Sequence, residues 1–182
     1  LIENGLEPHH TVLDVGCGCL RAGHLIIDYL EPNHYFGIEP YKLRADFGIA
    51  HVLDPEQKSK SPTIMHHSDF SFSTFDTEFD FILARSVWTH ASQSQIITML
   101  EEFKRTTGSN GVFMTSYVPA QTEEQAYKKE GWLGRSEESE QGGYAYHTFS
   151  WIKQVAEERG LVAVALETGI ISGQVWIRVT HS

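Results

Sequence analysis

The chain has 182 residues, a formal charge of −10 at neutral pH and 41% hydrophobic residues, which predicts a single domain, residues 1–182, around one substantial core. No apolar run reaches the roughly 18 residues of a membrane span, so no membrane association is expected. The acidic balance argues against nucleic acid as a partner, because its binders concentrate basic charge, and suits a small or cationic substrate better.

Apolar runs bounded by turn residues alternate with segments of helical period, the sign of a mainly parallel sheet covered by helices. Thr11 to Val15 reads as a first strand, followed by a helix through Ala22, Leu25, Ile26 and Tyr29 that Pro32 interrupts. Tyr35 to Ile38 is the second strand. A helix carrying Leu43, Phe47, Ile49 and Leu53 follows Pro40, then short and longer strands near Thr63 to His66 and over Phe79 to Ala84. Ser92 to Arg105 places Ile96, Leu100 and Phe103 on one apolar helical face. Gly108 and Gly111 flank its exit into a fifth strand, Val112 to Tyr117. Thr148 can cap a last helix whose Phe149, Ile152, Val155 and Ala156 face inward until Gly160 ends it. Leu161 to Glu167 and Gln174 to Thr180, separated by residues including Gly169 and Gly173, read as a terminal antiparallel pair.

Residues 119–146 break this rhythm, being polar, charge-mixed and dotted with Tyr127, Trp132, Leu133, Tyr144 and Tyr146. A loop of that length inside a compact domain is uncommon and often functional. It follows the fifth strand, so it is expected to form a partly mobile cap over a ligand site at the carboxyl ends of the strands, with a surface-covering or partner-binding insertion as the alternative.

The strongest chemical signal is Val12-Leu13-Asp14-Val15-Gly16-Cys17-Gly18-Cys19, a buried strand that ends in an acidic residue and a glycine turn leading into a helix. Glycine removes the Cβ atoms that would keep backbone away from a ligand and tolerates positive φ. Glu39 ends the second strand about twenty residues later, where a carboxylate can accept both hydroxyl hydrogens of a ribose. Asp69, after the third strand, can accept from an adenine amino group while the Phe70 main chain meets the ring. Cys17 and Cys19 are too close for an ordinary crosslink and lack a second pair to complete a zinc site, so reduced thiols and a cytoplasmic setting are expected. No charged leader followed by a short apolar segment opens the chain, and no secretory signal is expected.

Together, Asp14-x-Gly16-x-Gly18, Glu39, Asp69-Phe70 and Ala84-Arg85-Ser86 resemble the class I S-adenosylmethionine-dependent methyltransferases, and the resemblance extends to a terminal hairpin at Gly173 to Thr180. It implies a Rossmann-like α/β sandwich with a mainly parallel central sheet and an antiparallel C-terminal strand. It further implies S-adenosylmethionine as cofactor and S-adenosylhomocysteine as product. The Gly16 to Gly18 backbone, Cys17 included, would then hold the methionine portion, Glu39 the ribose, and Asp69 and Phe70 the adenine, with Asp14, Ala84 and Arg85 also in the cofactor site. Leu20 departs from the commoner third glycine. A nicotinamide enzyme would need glycine in place of Arg21, which weighs against that Rossmann alternative.

The implied reaction is in-line methyl transfer to a nucleophile, for which alignment supplies much of the acceleration and a dedicated base is optional. A small-molecule acceptor is the leading expectation. A protein acceptor and a noncatalytic cofactor-binding or interaction domain are the alternatives, since fold and function can separate. His90 is the candidate catalytic residue, as imidazole titrates near neutral pH. Tyr144, Tyr146 and His147 are candidate substrate contacts. Neighbouring side chains on a strand point to opposite faces, so His66 and His67 are not expected to share a metal, and no metal site is expected.

Overall fold

The computed structural model describes residues 1–134, 143–167 and 173–182. Of the sequence expectations, Gly169 and the stretch 135–142 of the insertion lie outside the described residues.

The strands are β1 (Val12–Val15), β2 (Tyr35–Ile38), β3 (Thr63–Met65), β4 (Phe79–Ala84), β5 (Thr107–Pro119), β6 (Tyr146–His147), β7 (Leu161–Ala165) and β8 (Val175–His181). The helices are α1 (Gly23–Tyr29), α2 (Lys42–His51), α3 (Pro55–Ser59), α4 (Gln93–Thr106) and α5 (Phe149–Glu157). The sheet runs β3-β2-β1-β4-β5-β8-β7, with β6 pairing β5 off this path. Strands β1 to β5 pair in parallel along it, and β8 lies antiparallel to both β5 and β7. A mainly parallel sheet with an antiparallel C-terminal strand is the expected architecture. Among the described residues no helix is long and apolar enough to cross a membrane.

The sheet is buried on both faces, which is why β1 is apolar at three of its four positions rather than alternating. On one face Leu13, Val15, Ile82, Phe113, Ile177 and Val179 meet α4 and α5 residues such as Leu100, Phe103 and Ile152. On the other, Val12, Phe81, Leu83, Val112 and Met114 meet Ile26 and Ile27 of α1. The expected inward residues of α4, Ile96, Leu100 and Phe103, are fully buried. The Thr148 hydroxyl caps α5 by accepting from Trp151 N, and Gly160 takes φ +69 beyond its end.

Four features depart from the sequence expectation. Strand β5 starts directly at the end of α4, at Thr107, and runs to Pro119, so Gly108 and Gly111 lie within it rather than before it. Helix α2 exposes Leu43 and Phe47 and buries Ala45 and Gly48, because it approaches the glycine turn too closely for large side chains. It stops at His51, and a separate α3 follows, started by Asp54 and Gln57, which cap each other's backbone N–H groups. A short strand, β6, closes the insertion at Tyr146 and His147 and pairs in parallel with Val118 and Pro119 of β5.

Candidate functional site

The carboxyl ends of β1, β2 and β4 open onto one cavity of about 880 Å³. In open α/β sheets this edge receives the ligand. The floor is the glycine turn. Gly16 and Gly18 have φ of +71 and +58, and the Gly16 and Cys17 N–H groups both donate to the Ile38 carbonyl, which ties the turn to β2. A Cβ on Gly16 would stand 2.9 Å from Val87 Cγ2, so this position needs glycine for space as well as for φ. Helix α2 presses from outside: a Cβ on Gly48 would stand 2.7 Å from the carbonyl carbon and oxygen of Cys19.

Leu20, where a third glycine was the common pattern, also adopts positive φ, +60. It carries a fully buried side chain in the core under α1. The left-handed backbone of the pattern is kept, and the leucine offsets its strain by burial.

Glu39 is 4% exposed and is held at both oxygens: Gly18 N donates to Oε2 at 3.1 Å and Tyr41 N to Oε1 at 3.0 Å. A carboxylate has about four acceptor positions, so two remain for a diol. Arg44 Nη1 stands 3.7 Å from Oε1. Asp14 is likewise buried and lines the cavity, with one oxygen accepting from the Tyr35 hydroxyl at 2.8 Å. Burial raises its carboxyl to about 7, opposed by the Tyr35 bond and the Arg85 charge and reinforced by Glu39. The Cys17 thiol, also in the wall, is pushed well up by burial and stays protonated.

Beyond β3 the structure does not bring Asp69 into the wall. Its side chain is exposed and accepts from Ser71 N at 3.0 Å and from His67 Nδ1 at 2.7 Å, bonds that hold its acidity high. This local turn onto the backbone two residues on outcompetes a role in the cavity. His67, Ser68 and Phe70 line that edge instead. Beyond β4, Ala84 is buried in the core and Arg85, Ser86 and Val87 form the wall. Phe70 and Ser86 line the cavity in left-handed conformations, at φ +57 and +58, the kind of backbone strain that clusters at functional sites.

His90 closes the far end together with Trp132 and Gly134 of the insertion. Its Nδ1 is 2.7 Å from the Leu133 carbonyl oxygen. A carbonyl only accepts, so Nδ1 carries the hydrogen and the neutral ring keeps its lone pair on Nε2. The ring packs between Trp132 and Tyr144, with centroids 5.4 and 5.7 Å away. Trp132 also stacks on Phe70. Tyr144 thus reaches the site through His90, and Tyr146 is occupied in β6, where its carbonyl accepts from Tyr127 N. His147 does not line the cavity. It is fully buried, donates from Nε2 to the Ala91 carbonyl and stacks on Trp151, and burial lowers its pKa to about 4. Among the described residues no group of three or more His, Cys, Asp or Glu is placed to hold a metal.

No protein-family model matches the chain. Among solved structures, the YcgJ protein from Bacillus subtilis superposes with a TM-score of 0.72 at 11% identity, over 99% of this chain and 95% of that one. Magnesium protoporphyrin IX methyltransferase from Synechocystis PCC 6803, solved with bound S-adenosylmethionine, gives 0.71 at 12%, over 100% and 74%. A S-adenosylmethionine-dependent methyltransferase from Clostridium acetobutylicum gives 0.70 at 10%, over 100% and 87%. The fold is that of the class I methyltransferases. At such identities the likeness is one of fold, and within this methyltransferase fold the cavity occupies the carboxyl edge of β1, β2 and β4.

The sequence pointed to Asp14, the glycine turn and Glu39, and these converge. It named Trp132 only among the aromatic residues of the expected cap, and it did not point to Tyr35, Gly48 or Gly134. Of these only Gly48 carried a signal, since glycine inside a helix is unfavourable by about 1 kcal/mol and marks a close approach.

Proposed function

We propose that the chain is a methyltransferase that uses S-adenosylmethionine and acts on a small-molecule nucleophile. The observation that carries this is one continuous cavity running from the Glu39 carboxylate and the glycine turn to His90 and Trp132. At about 880 Å³ it lies near the upper end of the roughly 300–1,000 Å³ of ligand sites, which leaves room for an acceptor beside a donor. The donor supplies an electrophilic methyl carbon on a sulfonium sulfur.

The chain's own groups divide the remaining work. Glu39 accepts from the ribose hydroxyls, the Gly16 to Gly18 backbone lets the amino-acid portion approach, and Phe70 with the residues around it encloses the adenine. Trp132 and His90 wall the acceptor end and exclude water. His90 Nε2, bare because Nδ1–H is committed to Leu133, accepts the proton of a protic acceptor. The described part of the insertion serves as a cap: Leu133 N donates to the His90 carbonyl and Ala145 N to that of Thr89, which tie it to the segment after β4.

The test is calorimetry with S-adenosylmethionine, S-adenosylhomocysteine and NAD, followed by a labelled-methyl assay on a small-molecule panel and on a protein extract. Binding of both adenosyl ligands and label in small molecules support the proposal. Binding of NAD alone overturns it. Label in protein reassigns the acceptor, and cofactor binding without any labelled product assigns a noncatalytic role.

A further inference from the structure

We propose that Tyr35 is a positioning residue for the methyl donor: its hydroxyl holds one oxygen of Asp14 and leaves the other as the acceptor for the ammonium group of the donor's amino-acid portion. This rests on the methyl-transfer function proposed for the cavity.

The bond is built by several positions. Asp14 on β1 lies opposite Gly37 on β2, and Tyr35 lies two residues earlier on β2, opposite Val12. All four therefore share one face of the sheet, and the phenol must reach diagonally past Gly37, where no side chain intervenes. A Cβ on Gly37 would stand 2.9 Å from Cys17 Sγ, so that position is bare of necessity. On this same face, α1 opens on Gly23, where a Cβ would stand 2.4 Å from the Tyr35 hydroxyl oxygen and 2.9 Å from Leu20 Cδ2. Gly23 thus makes room for the hydroxyl, and Gly37 leaves the space beside Cys17 free of a side chain. Tyr35 is 2% exposed and meets Asp14 Oδ2 at 2.8 Å.

No described residue donates to Asp14 Oδ1, although Asp14 lines the cavity beside the glycine turn. A buried carboxylate with one oxygen pinned and the other open to a cavity is prepared for a donor that arrives with a ligand. The ribose is recognised by Glu39 on the neighbouring strand, which leaves a cationic group as the natural partner of Asp14.

The charge environment gives the arrangement a measurable consequence. The groups facing Asp14 are Tyr35 from β2, Cys17 from the turn, Glu39 from the end of β2 and Arg85 from the end of β4. Arg21, Arg44, His67 and His90 stand elsewhere in the cavity wall. Burial holds the Asp14 carboxyl at about 7 and pushes the Tyr35 phenol well above its ordinary range, so Tyr35 donates at every relevant pH. An ammonium group binds the ionised carboxylate, so binding below about pH 7 releases a proton, and affinity climbs with pH until Asp14 is ionised in the free protein. Removing the Tyr35 bond, which lowers the Asp14 pKa, moves that plateau to higher pH.

The experiment compares S-adenosylhomocysteine with 5′-methylthioadenosine, the same nucleoside thioether without the amino-acid portion, by calorimetry from pH 5.5 to 8. In the wild-type protein, affinity for the first is expected to rise with pH relative to the second, with proton release seen as a dependence on buffer ionisation heat. Tyr35→Phe is expected to weaken S-adenosylhomocysteine roughly tenfold or more at pH 7, to move its pH profile upward and to leave 5′-methylthioadenosine within twofold. Equal weakening of both ligands, or no change in either, overturns the proposal. Parallel pH profiles for the two ligands in the wild-type protein overturn it even if Tyr35→Phe does not fold. Failure of the wild-type protein to bind either ligand instead rejects the methyl-transfer function itself.

Discussion

His90 and Leu133 are joined twice: the imidazole Nδ1–H donates to the Leu133 carbonyl at 2.7 Å, and the Leu133 N–H donates to the His90 carbonyl at 2.7 Å. The first bond fixes the tautomer and the second fixes the backbone, so the cavity wall contributed by the insertion and the candidate base move as one unit. His90→Ala is expected to lower turnover of a protic acceptor by roughly 10²- to 10⁴-fold while S-adenosylhomocysteine affinity stays within twofold. Equal turnover in a steady-state assay returns His90 to a packing role.

Glu39 is expected to matter for binding rather than for the chemical step. Glu39→Ala removes the carboxylate proposed to accept from the ribose and also strands the N–H groups of Gly18 and Tyr41. Calorimetry should show cofactor binding weakened by about 1–3 kcal/mol, the range for hydrogen bonds to a charged group. Unchanged affinity would remove Glu39 from the site.

Gly48→Ala tests the pressure of α2 on the glycine turn. Its backbone is ordinary helix, where alanine is the favoured residue by about 1 kcal/mol. The new Cβ would meet the Cys19 backbone at 2.7 Å, and overpacking of this kind typically costs about 1–3 kcal/mol. The clash should win, so the variant is expected to melt lower and bind cofactor more weakly. A higher melting temperature would show that α2 can retreat freely.

Leu20→Gly sets strain against burial. Glycine would relieve about 1–2 kcal/mol of left-handed backbone cost, whereas losing a fully buried leucine side chain costs about 2–5 kcal/mol. Net destabilisation by urea unfolding is expected. Stabilisation would mean that the packing of Leu20 adds little.

His147 predicts a pH dependence of stability. Its folded pKa, about 4, lies below the ordinary 6.5, so unfolding takes up a proton between these values. Its contribution is complete above pH 6.5 and is lost as pH falls toward 4. His147→Gln keeps an N–H donor for Ala91 without this titration, and the stability difference between pH 7.5 and 4.5 should shrink by about 1–3 kcal/mol. An unchanged difference in urea titrations at the two pH values would place the acid sensitivity elsewhere.

The sequence was most legible where local chemistry and tertiary need agree. Strands β2 and β4 begin and end at the expected residues because apolar runs meet turn residues there, and Glu39, just beyond the end of β2, lines the cavity as its position suggested. Helix α2 was misleading because Leu43 and Phe47 form an apolar stripe that tertiary packing rejects in favour of Ala45 and Gly48. Asp69 lay in a plausible motif, but an aspartate followed by serine two residues on can close its own turn, and here it does. His90 and His147 look alike in sequence, each close to aromatic residues. Only long-range placement separates them, one in the cavity wall and the other bonded across the core to Ala91. The Tyr35–Asp14 bond joins strands across 21 positions and has no local signal.

One further consequence concerns order of assembly. Gln174, just before β8, accepts from the hydroxyls of Ser86 and Ser116, 88 and 58 positions away, and Ser116 in turn receives the Ser86 N–H at the cavity rim. Strand β8 also slots between β5 and β7, so this corner of the ligand site closes only after a distant stretch of chain has returned to the sheet. Contacts of such separation form late because their loop-closure entropy must be met first. During synthesis, the emerging chain should therefore hold its glycine turn and Glu39 for some time before this corner of the cavity is finished, and a ligand that needs only the turn would steady the newborn protein before one that needs the completed rim.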